Sequence, residues 1–270
     1  MSFEVVVLGS AQDGGLPQLG ATHLHDRRAS RGDLAGRSAS SLAICTDRAT
    51  LLLDASPDIR SQARLLADRP PIETVALTHG HMGHYTGLIH FGKEAWAAPG
   101  VHLAATGRMI EFLTANQPWR SLLDGGHLVP AGFDHRTRDG VTVEAIAVPH
   151  RAEHTDTVAL SVDGRLLYLP DIDSWDAWPE AADVIARHEI AFLDATFWSS
   201  DELTGSRTVG EVPHPPVVDT ISRFATLADR IVLTHLNHTN PLVDEASPES
   251  RRVRSLGFRI AQDGYALAVR

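Results

Sequence analysis

The segment Leu77-Thr78-His79-Gly80-His81-Met82-Gly83-His84-Tyr85-Thr86-Gly87 decides the reading of this chain. It places three histidines directly after Thr74-Val75-Ala76-Leu77-Thr78, a short apolar run of the kind that forms a buried strand. Successive side chains of a regular strand splay to opposite faces, whereas a loop leaving the strand end lets neighbours converge. Converging imidazoles suit zinc, iron or manganese rather than calcium or magnesium, which take oxygen ligands. Chance is the competing explanation, because the chain holds 15 histidines in 270 residues. The position at a strand end, ahead of a glycine-containing helix start, weighs against it.

Outward from this segment the pattern is one of short strands and helices. Phe3 to Leu8 reads as a buried strand entering the glycine-rich loop Gly9 to Gln18. Residues 20–39 are polar and aperiodic, as in a long surface loop. Ser40 to Cys45 and Ala49 to Leu53 alternate around Thr46-Asp47-Arg48 as a hairpin, and Ile59 to Ala67 carries an amphipathic helical pattern. Helix, strand and helix follow between Gly87 and Phe112. Further strands are expected at Val141 to Val148, Thr157 to Val162, Leu166 to Leu169, Ile190 to Asp194 and Arg230 to Thr234. Helices are expected at Trp178 to Arg187 and Val217 to Leu227, and a closing hairpin around Gly264 between Phe258 and Arg270. Strands that alternate with helices, several of them as hairpins, point to a mixed α/β sandwich, read as one domain over residues 1–270.

Composition narrows the function classes. A net charge of -10 argues against a broad nucleic-acid or membrane surface. No apolar run reaches transmembrane length, and the first residues lack the pattern of a signal peptide, so a cytoplasmic location is expected. Cys45 is the single cysteine; it allows no internal disulfide and lies in an apolar run as a buried thiol. Gly14-Gly15 is not followed by the Gly-Lys-Ser/Thr of a phosphate loop, and no Gly-x-Ser-x-Gly nucleophile turn is present. The expected partner is a small-molecule substrate, with neither nucleic acid nor membrane; a homodimer is compatible with the chain.

The His-x-His-x-x-His segment does not stand alone. Leu8-Gly-Ser-Ala-Gln-Asp-Gly-Gly-Leu-Pro-Gln18, Asp54-Ala-Ser-Pro-Asp58, Val148-Pro-His-Arg-Ala-Glu-His-Thr-Asp-Thr-Val158, Leu169-Pro-Asp-Ile-Asp173 and Thr234-His-Leu-Asn-His-Thr-Asn-Pro241 accompany it in order. Together they resemble the metallo-β-lactamase fold superfamily, in the branch related to pyrroloquinoline quinone biosynthesis protein B. The resemblance implies an αββα sandwich of two mixed sheets. It implies metal ligation by His79, His81, His84, His150, Asp171 and His235, with His154 as the rival of His150 and Asp171 as the acid shared by two metals. The cofactor implied is zinc, with iron or manganese open. Two departures stand out. Gly83 occupies the position of the family's aspartate, and the clustered cysteines that the biosynthetic proteins use for a structural zinc are missing. Without an acid at residue 83, one tight metal and one weak or absent metal are expected.

Asp13, in the loop after the first strand, is the candidate to orient the attacking water in place of that acid; capping its own loop is the alternative. His238 is the candidate for proton handling, against an ordinary loop histidine. Asp54 and Asp194, at strand ends, are expected to accept the remaining N–H of bound histidines. His214 is placed in the pocket lining, and His23, His25, His90, His102, His127, His135 and His188 are read as surface or packing residues. The reaction implied is hydrolysis by metal-bound hydroxide of an ester, lactone, amide or phosphodiester, a phosphodiester being the first choice. Two rivals remain: a non-haem iron oxidoreductase related to pyrroloquinoline quinone biosynthesis, and a non-catalytic metal-binding or sensing protein, which Gly83 favours.

Overall fold

The apolar runs become strands buried on both faces, which is why they read as near-continuous hydrophobic stretches. A computed structural model describes residues 2–202 and 212–269. One sheet takes β1 (Phe3–Gly9), β2 (Ser41–Cys45), β3 (Thr50–Leu53), β4 (Ile72–Ala76), β5 (Val101–Ala104) and β6 (Leu128–Ala131) in sequence order. The other takes β7 (Val143–Ala147), β8 (Val158–Val162), β9 (Leu166–Leu169), β10 (Ile190–Asp194), β11 (Ile231–Thr234) and β12 (Arg259–Ile260). The last strand, β13 (Ala266–Val269), returns to the first sheet and pairs with β1. Both sheets are mixed. Pairing is antiparallel from β13 to β3 and parallel from β3 to β6, then antiparallel from β7 to β9 and parallel from β9 to β12.

The two sheets face each other across Val5, Leu42, Leu51, Leu160, Tyr168 and Phe192. On the outside of the first sheet, Val6, Leu52, Val75 and Leu103 meet Met109, Leu113 and Leu122 from the helices Gly107–Ala115 and Trp119–Asp124. On the outside of the second, Leu167, Ala191 and Leu233 meet Val184, Ile221 and Val253 from the helices Ala181–Arg187, Val217–Arg223 and Pro248–Ser255. This is the αββα sandwich. Each fully buried leucine or phenylalanine contributes on the order of 1.5–3 kcal/mol, so three apolar layers suffice without disulfides.

The structure revises three local expectations. Residues 20–39 are not all loop, because Leu24–Arg31 is a helix. Its polar sequence hides it from periodicity; capping defines it, through the His23 side chain accepting from His25 N–H and the left-handed Gly32 (φ 80°) at its end. The helix at Ile59 is shorter than the apolar pattern, ending at Gln62 and tightening into a 3-10 turn over Ala63–Leu66. The closing segment is not a hairpin. β12 runs parallel to β11 while β13 runs antiparallel to β1, and Gly264 (φ 84°) turns the chain from one sheet to the other.

What matters for function is the level at which strands end. In register Leu53 faces Ala76, Leu193 faces Leu169, and Asp194 faces Thr234. The loops leaving β1, β3, β4, β9, β10 and β11 therefore open along one edge of the sandwich.

Candidate metal centre

Those loops carry two adjoining groups of metal-ligating side chains. In the first, His79, His81, His150 and Asp171 each place one ligand atom within 4.8 Å of the others. His150 Nε2 lies 3.2 Å from His81 Nδ1 and 3.7 Å from Asp171 Oδ1. In the second, Asp13, His84 and His235 converge in the same way. Asp13 Oδ1 stands 3.4 Å from His84 Nε2 and 3.7 Å from His235 Nε2. Asp171 joins the two groups: its Oδ1 faces His150, while its Oδ2 lies 3.0 Å from His84 Nε2 and 3.4 Å from His235 Nε2.

A strand-end carboxylate fixes the rings on each sheet. Asp54 follows β3 with a left-handed backbone (φ 63°), an uncommon conformation that aspartate tolerates better than most residues. Its Oδ1 accepts the Thr78 N–H at 2.8 Å, and its Oδ2 accepts His84 Nδ1–H at 2.7 Å. The Thr78 hydroxyl donates to Asp54 at 2.9 Å, so it accepts from His79 Nδ1–H at 3.0 Å. The second sheet repeats the arrangement at the end of β10. Asp194 accepts the Thr196 hydroxyl at 2.7 Å and His214 Nδ1–H at 2.6 Å, and Thr196 Oγ1 accepts His235 Nδ1–H at 2.9 Å. On both sheets the Nδ1 proton is committed, which turns Nε2 towards the centre. His235 itself has a φ of 61°. Two left-handed non-glycine residues at one centre mark a backbone held in place for positioning.

The donor set fits a transition metal. His79, His84 and His235 Nε2 and Asp171 Oδ2 are buried and without a hydrogen-bond partner. Converging lone pairs in a buried site call for a cation between them, and a mixed imidazole and carboxylate set is the one zinc, iron or manganese takes.

The Gly83 departure has a physical counterpart. A Cβ at Gly83 would collide with the Asp13 carboxylate, so the missing side chain is what admits Asp13 from the neighbouring loop. Asp13 thus stands within the second group rather than apart from it as a loop cap. The structure brings His150, not His154, to the first group. His154 is exposed and stacks on Phe112 with ring centroids 5.7 Å apart. His150 also turns its Nδ1 to within 2.8 Å of Asp173 Oδ1, a neighbour the sequence reading did not single out. His238 belongs to neither group. Its Nδ1 is 2.7 Å from Asp26 Oδ2, and its ring stands in the wall of a recess of about 1220 Å³ that also exposes Asp13, His23, Phe197, Asn237 and Thr239. His214, read only as pocket lining, sits fully buried against the centre, close enough to Asp171 and His235 to form a third grouping with them.

Electrostatics follow burial and carboxylate contacts. Burial pushes His79 and His150 below the ordinary histidine value and His81 down to about 4, which favours neutral, ligating rings. Burial also opposes charge on His84, but Asp171, Asp54 and Asp13 outweigh it and raise that ring well above its ordinary value. Burial would raise Asp13 and Asp171; instead His235 and His84 hold both well below the usual carboxylate range. His214 is raised in spite of burial because of Asp194.

A sandwich of two mixed sheets with a histidine and aspartate centre at the strand ends defines a metallo-β-lactamase-fold protein. Residues 49–236 match the beta-lactamase superfamily domain, and the chain belongs to that superfamily. It is similar to coenzyme PQQ synthesis protein B of Pseudomonas putida, with 28% identity over 97% of this chain and 99% of the relative. The same protein of Azotobacter vinelandii is 29% identical, over 97% and 98% respectively. Among solved structures, zinc-bound PqqB from Methylobacterium extorquens superposes with a TM-score of 0.77 at 25% identity, covering 98% of this chain and 99% of that one. A diphosphatase of the PhnP family shares the fold, with a TM-score of 0.73 at 23% identity over 99% and 97%.

Proposed function

We propose that the chain is a metal-dependent hydrolase whose centre holds two metal ions, one among His79, His81 and His150 and one among Asp13, His84 and His235, with Asp171 shared. The observation that carries the reading is the pair of adjoining donor groups opening on that recess through the partly exposed side chain of Asp13. Metal held there would lower the pKa of a bound water to about 7 and so supply a nucleophile at neutral pH. Zinc is the first choice, in keeping with the zinc-bound relative. The expectation of a weak second position rested on three ligands, and Asp13 makes a fourth.

The chain's own residues supply the rest. Asp54 and Asp194 hold the rings in one tautomer. His214, whose charged form Asp194 favours, donates the proton that the leaving group needs. The recess wall exposes Asp13, Glu202 and several amides and hydroxyls, and among its described residues no lysine or arginine. Beyond the metal ions, a substrate carrying several phosphates would find no counter-charge among those described residues. A small ester, a lactone or a singly charged phosphodiester fits.

The relatives' part in coenzyme PQQ synthesis supports a second reading, a metal-dependent oxidoreductase. Purifying the chain without added metal, measuring zinc, iron and manganese, and assaying a chromogenic ester, a lactone and a chromogenic phosphodiester separates the two. Zinc content with hydrolysis of one of these supports the proposal. Iron content with oxygen consumption and no hydrolysis overturns it.

A further inference from the structure

A separate group of ligating side chains lies at the other end of the first sheet. Glu73, His102 and His135 place one ligand atom each within 4.8 Å of one another. Glu73 is the second residue of β4, His102 the second of β5, and His135 lies in the loop that carries the chain from β6 to β7. His79 follows the opposite end of β4, six residues from Glu73, which separates the two centres by about 20 Å at 3.3 Å per residue.

Local structure prepares this group. Thr50 pairs with Ile72 but Leu51 pairs with Thr74, so Glu73 is the extra residue of a bulge. Bulges re-aim side chains at sheet edges. Both Glu73 carboxylate oxygens accept the Arg138 N–H, at 2.9 and 3.1 Å, which holds the loop over the sheet. The loop is also pinned by Thr137, whose backbone N–H donates to the Val141 carbonyl at 3.1 Å. The two rings lie face to face, with centroids 4.0 Å apart and planes inclined by 35°. His102 Nδ1 and His135 Nε2 are both buried and make no hydrogen bond. Burial, helped by the neighbouring His102, lowers the His135 pKa and keeps that ring a lone-pair donor.

We propose that Glu73, His102 and His135 form a structural site for a divalent transition metal of the zinc type, which staples the β6–β7 crossover to the first sheet. Two imidazoles and one carboxylate give three of the four ligands of a tetrahedral zinc, and nitrogen donors disfavour calcium and magnesium. The crossover is one of the two connections between the sheets, so tying its loop to β4 and β5 fixes one sheet's edge relative to the other.

The test uses the full chain, stripped of metal, reloaded with excess zinc and freed of unbound ion. Each of His102→Ala, His135→Ala and Glu73→Gln should lose about one zinc per chain relative to wild type. Glu73→Gln keeps an acceptor for the Arg138 N–H and guards against a folding defect in the histidine variants. Zinc should also raise the wild-type Tm by about 5 °C more than it raises that of Glu73→Gln. His79→Ala should lose zinc from the other centre while keeping this one, so failure here is distinguishable from failure of the hydrolase reading. If all three variants keep the wild-type zinc content and the wild-type Tm response, the rings are only packed together and the proposal is overturned.

Discussion

The carboxylate of Asp13 fills the space that any side chain at Gly83 would need. The two positions are complementary: glycine at one permits the acid at the other. Replacing Gly83 with aspartate should therefore be costly on its own, by about 1–3 kcal/mol, because two side chains compete for one volume. Asp13→Gly should release metal from the second group while leaving the first loaded. Combining the two substitutions should restore the second metal and part of the stability, since the Asp13 backbone also stands close to a Cβ at residue 83. Additive losses in the double variant, measured by metal content and denaturant unfolding, would show that the two positions are independent.

Asp54 serves both the backbone and the rings, and the two roles separate by substitution. Asparagine in its place tolerates the left-handed conformation but lacks the carboxylate that accepts from Thr78 and His84. Asp54→Asn should weaken metal binding by about 10–100-fold with little change in Tm. Asp54→Ala should add a stability loss of roughly 1–2 kcal/mol for the strained backbone. Equal Tm values for the two variants would refute the backbone role.

His214 is argued to hold a proton rather than a metal. Its replacement by glutamine should leave metal content intact and lower kcat by about 10²–10⁴-fold for substrates with poor leaving groups. Substrates whose leaving groups need no proton should lose far less. Loss of metal in His214→Gln would instead make the ring a ligand.

Metal loading should release protons. In the metal-free protein His84 holds its proton well above the ordinary histidine value, because Asp171, Asp54 and Asp13 overcome its burial. That interaction stabilises the metal-free fold fully below the unfolded histidine's pKa and is lost as pH rises through the raised folded value. Metal must displace this proton, so affinity should increase with pH across neutrality. Calorimetric titration in two buffers of different ionisation enthalpy at pH 7 reads the release directly. Identical apparent enthalpies would show that no proton leaves.

The centre was legible in the sequence where its residues end apolar strands. His79, Asp171 and His235 each follow such a run, and the resemblance to the family placed ligands at those strand ends. His214 was read only as pocket lining, because it follows no strand and has prolines at 213, 215 and 216 about it. Glu73, His102 and His135 lie in three separate segments, and only the parallel pairing of β4 with β5 and the crossover loop bring them together. The helix Leu24–Arg31 was hidden for another reason: its stability rests on caps and on the buried Asp26, which accepts the Gln18 N–H at 2.8 Å, not on an apolar stripe. The closing segment was misread because alternation is the same whether two strands pair with each other or with different sheets.

The ligands of the main centre are spread from Asp13 to His235, and this orders events during synthesis. A growing chain completes the set of His79, His81, His150 and Asp171 well before His235 leaves the ribosome. The second set waits for that residue and then draws on Asp13, made among the first. No partial chain can therefore assemble both positions. Asp171, common to both, is already made when the second group is completed, so a metal held by the first group would stand beside the pocket that the later residues close.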